Sequence, residues 1–219
     1  MKKAIILGAS GLVGSDLLQK LLLDPEFEKV LSIGRTLLDI KNPKFDQLQL
    51  DLFHLDQMEL HESYDILFCC IGTTAKKTPN EELYHKIDFG IPVAAAKLCK
   101  KHNIHQFQVI SALGANAKSS VFYNRTKGEM EEAVLDLNLE DTKIIQPSLI
   151  LGERSERRLG ESIGIQLFGM FSWLFVGPLR VYRGINYKEV SSAMMYISRH
   201  SNQNIRIKSD QLIEYSKLD

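Results

Sequence analysis

The stretch Gly8-Ala9-Ser10-Gly11-Leu12-Val13-Gly14 constrains this chain more than any other. It follows the apolar run Ala4-Ile5-Ile6-Leu7. It leads into Val13, Leu17, Leu18, Leu21 and Leu22, which recur at helical spacing. Strand, tight glycine turn and helix, in that order, are what a dinucleotide-binding unit requires. Gly8 allows the turn, Gly11 lets backbone approach a pyrophosphate, and Gly14 lets the helix lie close to the strand. The free N–H groups and the positive dipole end of the helix then face the phosphates. The glycine spacing alone would also fit a flexible loop; the flanking strand and helix favour the nucleotide reading.

Beyond this unit, strands and helices alternate. Further strands are expected over 29–34, 47–51, 65–72, 106–111 and 142–146, with helices over 91–101 and 123–137. The run Asp65 to Gly72 is almost continuously apolar, as in a strand covered on both faces. The pattern predicts an α/β fold, a Rossmann-like doubly wound parallel sheet with a small C-terminal substrate-side lobe. The 219 residues suit one domain, with 1–150 as the nucleotide-binding core and 151–219 as the lobe and closing elements. In that last part, 189–198 reads as a helix, 205–207 as a late strand, and Ser209 as the cap of a final helix.

Composition excludes several classes. With 27 basic and 27 acidic side chains, the chain is not built mainly to grip nucleic acid or acidic lipid. No apolar stretch reaches the length of a membrane span; the longest candidate, Met170 to Val176, is too short. Met1-Lys2-Lys3 resembles the start of a secretion signal, but Gly8 and Gly11 break its apolar stretch, and cleavage would destroy the glycine loop. The three cysteines, Cys69, Cys70 and Cys99, have no metal-ligand spacing, and their odd number fits a reducing cytoplasm. No histidine pair has metal spacing either. The expected partner is a small-molecule substrate, with no nucleic acid, membrane or metal; a homodimer stays open.

In a parallel sheet of this kind, ligands bind at the carboxyl ends of the strands. Arg35, Asp51, Gly72-Thr73-Thr74, Ser111 and Pro147 all fall there. An acid after the second strand would bond a ribose 2′-hydroxyl, whereas an arginine favours a 2′-phosphate. Here the strand ends Ile33-Gly34-Arg35, with no acid before Asp39. The cofactor expected is therefore NADP(H) in preference to NAD(H), with Ser10 as a second donor to the same phosphate. Asp51-Leu52 suits either an adenine edge or a helix cap.

Tyr123 and Lys127 stand four residues apart and share one face of a helix. A free tyrosine titrates near 10, and a neighbouring cation favours the phenolate. Coulomb attraction of about 4 kcal/mol at about 4 Å and an effective dielectric of about 20 would bring it toward neutrality; desolvation acts the other way. Such a phenol can exchange a proton with a carbonyl or alcohol as hydride moves. Ser111, ending the fifth strand, is expected to address the same substrate oxygen, and Lys127 to bond the nicotinamide ribose as well.

In these residues the chain resembles an atypical short-chain dehydrogenase/reductase, similar to the HIV Tat-interacting protein group and its bacterial NAD(P)H-binding relatives. The resemblance rests on Gly8 to Gly14, Ile33-Gly34-Arg35, Phe68 to Thr74, Ser111, Tyr123 with Lys127-Gly128-Glu129, Pro147, and the segment Arg154 to Glu161. It implies a Rossmann-like NADP-binding domain, a catalytic Ser111-Tyr123-Lys127 set, Gly72 and Thr73 lining the cofactor, and Pro147 to Leu149 near the nicotinamide. The asparagine-alanine-glycine common in the wider family after the fourth strand is replaced by Cys70-Ile71-Gly72-Thr73-Thr74. The expected activity is NADP(H)-dependent oxidoreduction of a carbonyl or alcohol. The alternative is an NADP(H)-binding regulatory or scaffold protein without significant turnover. Two features stay open: Arg154, Arg157 and Arg158 as an anion site or a solvated loop, and Trp173 with Phe168, Phe171 and Phe175 as core or pocket.

Overall fold

The computed structural model describes residues 1–74, 76–152, 181–200 and 203–219. Its main sheet begins with β1 (Lys2–Leu7), β2 (Phe27–Gly34), β3 (Phe45–Gln49) and β4 (Ile66–Cys69). It continues with β5 (Gln106–Ile110), β6 (Asp141–Gln146) and, after the two-residue strands β7 (Ile150–Leu151) and β8 (Ile185–Asn186), with β9 (Arg206–Lys208). The described helices are α1 (Leu12–Leu23), α2 (Glu81–His85), α3 (Ile91–His102), α4 (Phe122–Leu135), α5 (Tyr187–Arg199) and α6 (Ser209–Tyr215). A 3-10 helix, Leu52–Gln57, follows β3, and one turn of π-helix, Lys86–Gly90, joins α2 to α3.

The seven-stranded sheet runs in the order β3-β2-β1-β4-β5-β6-β9, and every pairing in it is parallel. Strand order reverses between β1 and β4. The crevice above the carboxyl ends of those two strands is where such sheets take ligands.

Strand periodicity explains the two cores. Ala4 and Ile6 of β1 and Ile66 and Phe68 of β4 face one side, where they meet Leu17, Leu18 and Leu21 of α1 and Met194 and Ile197 of α5. Ile5, Leu7, Leu67 and Cys69 face the other, against Ala95, Leu98 and Cys99 of α3 and Met130 and Val134 of α4. Both faces of the central strands are apolar because helices cover both. Each large side chain removed from water in this way stabilises the fold by roughly 1.5–3 kcal/mol.

Residues 151–219 were expected as a substrate-side lobe and closing elements; among those described, β9 extends the principal sheet beside β6 and α5 packs along α1. Asn186 starts α5 with a capping box: its Oδ1 accepts the Lys188 amide at 2.9 Å, and Glu189 Oε2 accepts the Asn186 amide at 2.8 Å. Ser209 is the first residue of α6 and not its cap. Its hydroxyl lies 2.9 Å from that of Ser148, tying α6 to the chain after β6. No helix among the described residues is long and apolar enough to cross a membrane.

Candidate nucleotide and acid–base site

The glycine turn has the shape the sequence requires. Gly8 adopts φ +82°, and a Cβ there would lie 2.7 Å from the Cys70 carbonyl oxygen. An L side chain is excluded on both counts. The loops after β1 and β4 therefore touch across the switch point. A Cβ on Gly14 would overlap the Gly8 carbonyl oxygen, so only glycine lets α1 lie this close to the turn. The Gly11 amide is taken by Gly8 O at 2.9 Å. Leu12, Val13 and Gly14 open α1, where helix geometry leaves amides without intrahelical acceptors. Ser10 and Gly11 are exposed, while Val13 is buried in the core, so Val13 can serve a ligand only through its backbone. This cradle, with side chains sterically excluded at its tightest points, fits a dinucleotide pyrophosphate.

The surrounding residues divide. Arg35 is exposed directly beyond β2. Asp51 caps the 3-10 helix, its Oδ1 accepting the Phe53 amide at 3.2 Å, which is the second of the two roles open to it. Leu52 is 5% exposed and belongs to the core on the α3 side, so it can meet an adenine edge only through its backbone. Gly72 is exposed after β4, and Thr73 and Thr74 are half-buried beside it. Pro147 is buried at the end of β6, its carbonyl accepting the Leu113 amide at 2.8 Å, whereas Leu149 is exposed.

Tyr123 lies in the first turn of α4 and exposes 42% of its surface; Lys127, one turn on, exposes 3%. The Lys127 ammonium is 2.8 Å from Asp88 Oδ1 and donates to the Ile110 carbonyl at 3.5 Å. Asp88 Oδ2 accepts the Thr73 amide at 2.8 Å. Burial alone would lower the lysine's pKa, but Asp88 and Tyr123 outweigh it and hold the ammonium above its usual value. The phenol departs from expectation. Desolvation raises the Tyr123 pKa, Lys127 opposes the rise, Asp88 supports it, and the net shift is upward. The expected fall toward neutrality is corrected because desolvation of the phenol outweighs the lysine's charge, with Asp88 adding to the rise.

Ser111 is also placed differently from expectation. It is 3% exposed, and its hydroxyl donates to Glu131 Oε1 at 2.5 Å. The same carboxylate accepts Gln146 Nε2 at 2.8 Å and Arg206 Nε at 2.7 Å. The structure brings Tyr123 and Lys127 together and turns Ser111 into a separate buried network. Asp88, Glu131, Gln146 and Arg206 escaped sequence reasoning, since their partners come from distant elements. The Arg154–Arg158 stretch and the Trp173 cluster lie outside the described residues. Among those residues, no group of His, Cys, Asp or Glu side chains could hold a metal ion.

The parallel order, the switch-point glycine turn and the Tyr-Lys pair on α4 define a Rossmann-fold protein of the short-chain dehydrogenase/reductase type. No family model matches the chain. Among curated proteins it is 30% identical to Protein HTATIP2 of Rattus norvegicus, over 78% of this chain and 73% of that one. It is 31% identical to Protein FMP52-1, mitochondrial, of Scheffersomyces stipitis, over 83% of this chain and 77% of that one. The chain belongs to this atypical, NAD(P)-binding short-chain dehydrogenase/reductase family. Solved structures show the same fold. The UDP-Glc/GlcNAc 4-epimerase of Campylobacter jejuni superposes with a TM-score of 0.69 at 15% identity, over 98% of this chain and 82% of that one. The UDP-glucuronic acid 4-epimerase of Bacillus cereus, in complex with NAD, gives 0.68 at 15% identity, over 94% and 77%.

The comparison corrects the cytoplasmic expectation. The fungal FMP52 relatives are named as mitochondrial. The inference from cysteines was too narrow: free thiols report a reducing environment and do not distinguish one compartment from another.

Proposed function

We propose that this chain is an NADP(H)-dependent oxidoreductase acting on a carbonyl or alcohol substrate. One observation carries the reading: an exposed phenol, Tyr123, stands one helical turn before a buried, charge-paired Lys127, beside the loop after β4 that touches the glycine turn. The nicotinamide cofactor supplies or accepts the hydride. The chain's own residues do the rest. Gly8 to Gly14 and the start of α1 receive the pyrophosphate, and Ser10 and Arg35 a 2′-phosphate. Gly72, Thr73 and Thr74 form the wall opposite, with Pro147 and Leu149 on the β6 side. Tyr123 gives its proton to the carbonyl oxygen in reduction and takes it back from the alcohol in oxidation. Lys127 orients that phenol and is available to the ribose.

The test pairs binding with turnover. Thermal unfolding with NADP(H) and NAD(H) is expected to show a larger rise with NADP(H), about 2.7 kcal/mol of stabilisation at roughly a hundred times the dissociation constant. Arg35→Ala should erase the difference. Lack of any rise with either dinucleotide defeats the reading.

A second reading has its own observation. Because Ser111 is held by Glu131 and Tyr123 keeps its proton, the site also suits a protein that binds NADP(H) and reports its occupancy to a partner without significant turnover. In that case Tyr123→Phe would leave nucleotide-dependent partner binding unchanged.

A further inference from the structure

Asp88 occupies the single turn of π-helix between α2 and α3, an irregularity often found at functional positions. It is fully buried, and its two oxygens reach two different parts of the site. One pairs with Lys127 on α4, and the other accepts the amide of Thr73 in the loop after β4. That loop has no side chain between the ion pair and the crevice at Gly72. A Cβ there would lie 3.5 Å from Asp88 Oδ1 and 3.9 Å from Lys127 Nζ. The carboxylate thus lies just behind the surface that the proposed function assigns to the cofactor.

We infer that Asp88 is a positioning residue for proton transfer: by compensating Lys127, it adds to desolvation in keeping Tyr123 a protonated phenol, the form that carbonyl reduction needs. The inference rests on the oxidoreductase reading. A lone ammonium beside the phenol would favour phenolate. A close ion pair presents a dipole, whose field falls off faster than that of a single charge. The other titratable groups facing the pair leave it as the local source of charge. Cys69 of β4 is pushed up to about 11 by burial, and Tyr84 of α2 is pushed up by burial with Asp88 and Tyr123 in support, so both are neutral at pH 7. In reduction, the substrate carbonyl carbon accepts a hydride from reduced nicotinamide. The carbonyl oxygen takes the Tyr123 proton, and the phenolate left behind recovers a proton from water, which its exposure permits.

The experiment is a pH titration of phenolate absorbance on the full chain without cofactor. In each background, subtracting the same protein carrying Tyr123→Phe isolates Tyr123. Asp88→Asn should lower the Tyr123 midpoint by about one pH unit or more, since Lys127 is then uncompensated. Asp88→Glu should keep the wild-type midpoint. Asp88→Asn combined with Lys127→Met should bring it back toward wild type. An unchanged midpoint in Asp88→Asn, or no return in the double variant, overturns the inference. Should Asp88→Asn fail to fold, Lys127→Met and the double variant carry the test. Removing the isolated carboxylate must then lower the midpoint, and identical midpoints refute the role. With a substrate in hand, Asp88→Asn should move the pH–rate profile of alcohol oxidation about one unit toward lower pH. A merely structural aspartate would depress the rates without moving the profile. Failure of the oxidoreductase reading is separately visible as absent nucleotide binding or Tyr123-independent turnover, neither of which alters the titration.

Discussion

Two buried charges on α4, one turn apart, behave differently. Lys127 pairs with Asp88, which is held at the edge of a loop, with an exposed phenol one turn before it and the side-chain-free Gly72 in front. Glu131 is enclosed: Ser111, Gln146 and Arg206 donate to it from the ends of β5 and β6 and from β9. Both charges are satisfied, as burial demands. Only the first has a reactive atom next to it that solvent or a substrate can reach. Burial and charge identify neither as functional; the accessibility of the neighbouring atom does. The Glu131 network reads as the joint that fastens the last strand to the sheet.

The sharpest way to break this contrast is Tyr123→Phe. It should cut turnover by about 10²–10⁴-fold and leave the melting temperature nearly unchanged, because 42% of the residue's surface is exposed. Steady-state kinetics beside thermal unfolding would check both halves. The opposite signature is expected of Glu131→Ala. Three donors would lose their acceptor, costing about 3 kcal/mol after allowance for the partly exposed Arg206. That corresponds to roughly 6–12 °C in melting temperature for a domain of this size, read by calorimetry. Arg35→Ala should weaken NADP(H) by about tenfold to a hundredfold and leave NAD(H) nearly unaffected, as measured by titration calorimetry. The smallest effect sharpens the comparison most. Ser111→Ala should cost about 1 kcal/mol of stability with turnover per folded molecule within a few-fold of wild type. A hundredfold loss of kcat would instead return Ser111 to the acid–base machinery.

The pH dependence follows the sign of the tyrosine shift. The Tyr123 pKa lies above the ordinary value, so the proton needed for reduction is present throughout the neutral range. Alcohol oxidation, which needs the phenolate, should climb steadily above neutrality. Opposite pH–rate profiles for the two directions would check this.

Much of the molecule was legible in the linear chain, for local reasons. Gly8 and Gly14 announce themselves because a turn with positive φ and a close helix–strand approach exclude side chains whatever lies around them. The strands from Ile66 to Cys69 and Gln106 to Ile110 follow from apolar runs set among helical periods. Tyr123 and Lys127 share a helix face by spacing alone. The sequence could not show that Lys127 is compensated or that Ser111 is occupied. Asp88 reaches the lysine, and Glu131 reaches the serine, only because the crossovers stack α4 against the π-turn and beneath the ends of β5 and β6. Electrostatics depends on separation in space, falling with distance and rising with burial, and neither quantity is written in residue order. The sequence by itself therefore determined the nucleotide fold and the shared helix face of Tyr123 and Lys127. The tertiary structure decided how far that phenol is desolvated and which neighbours act on it, and hence which way its pKa moves.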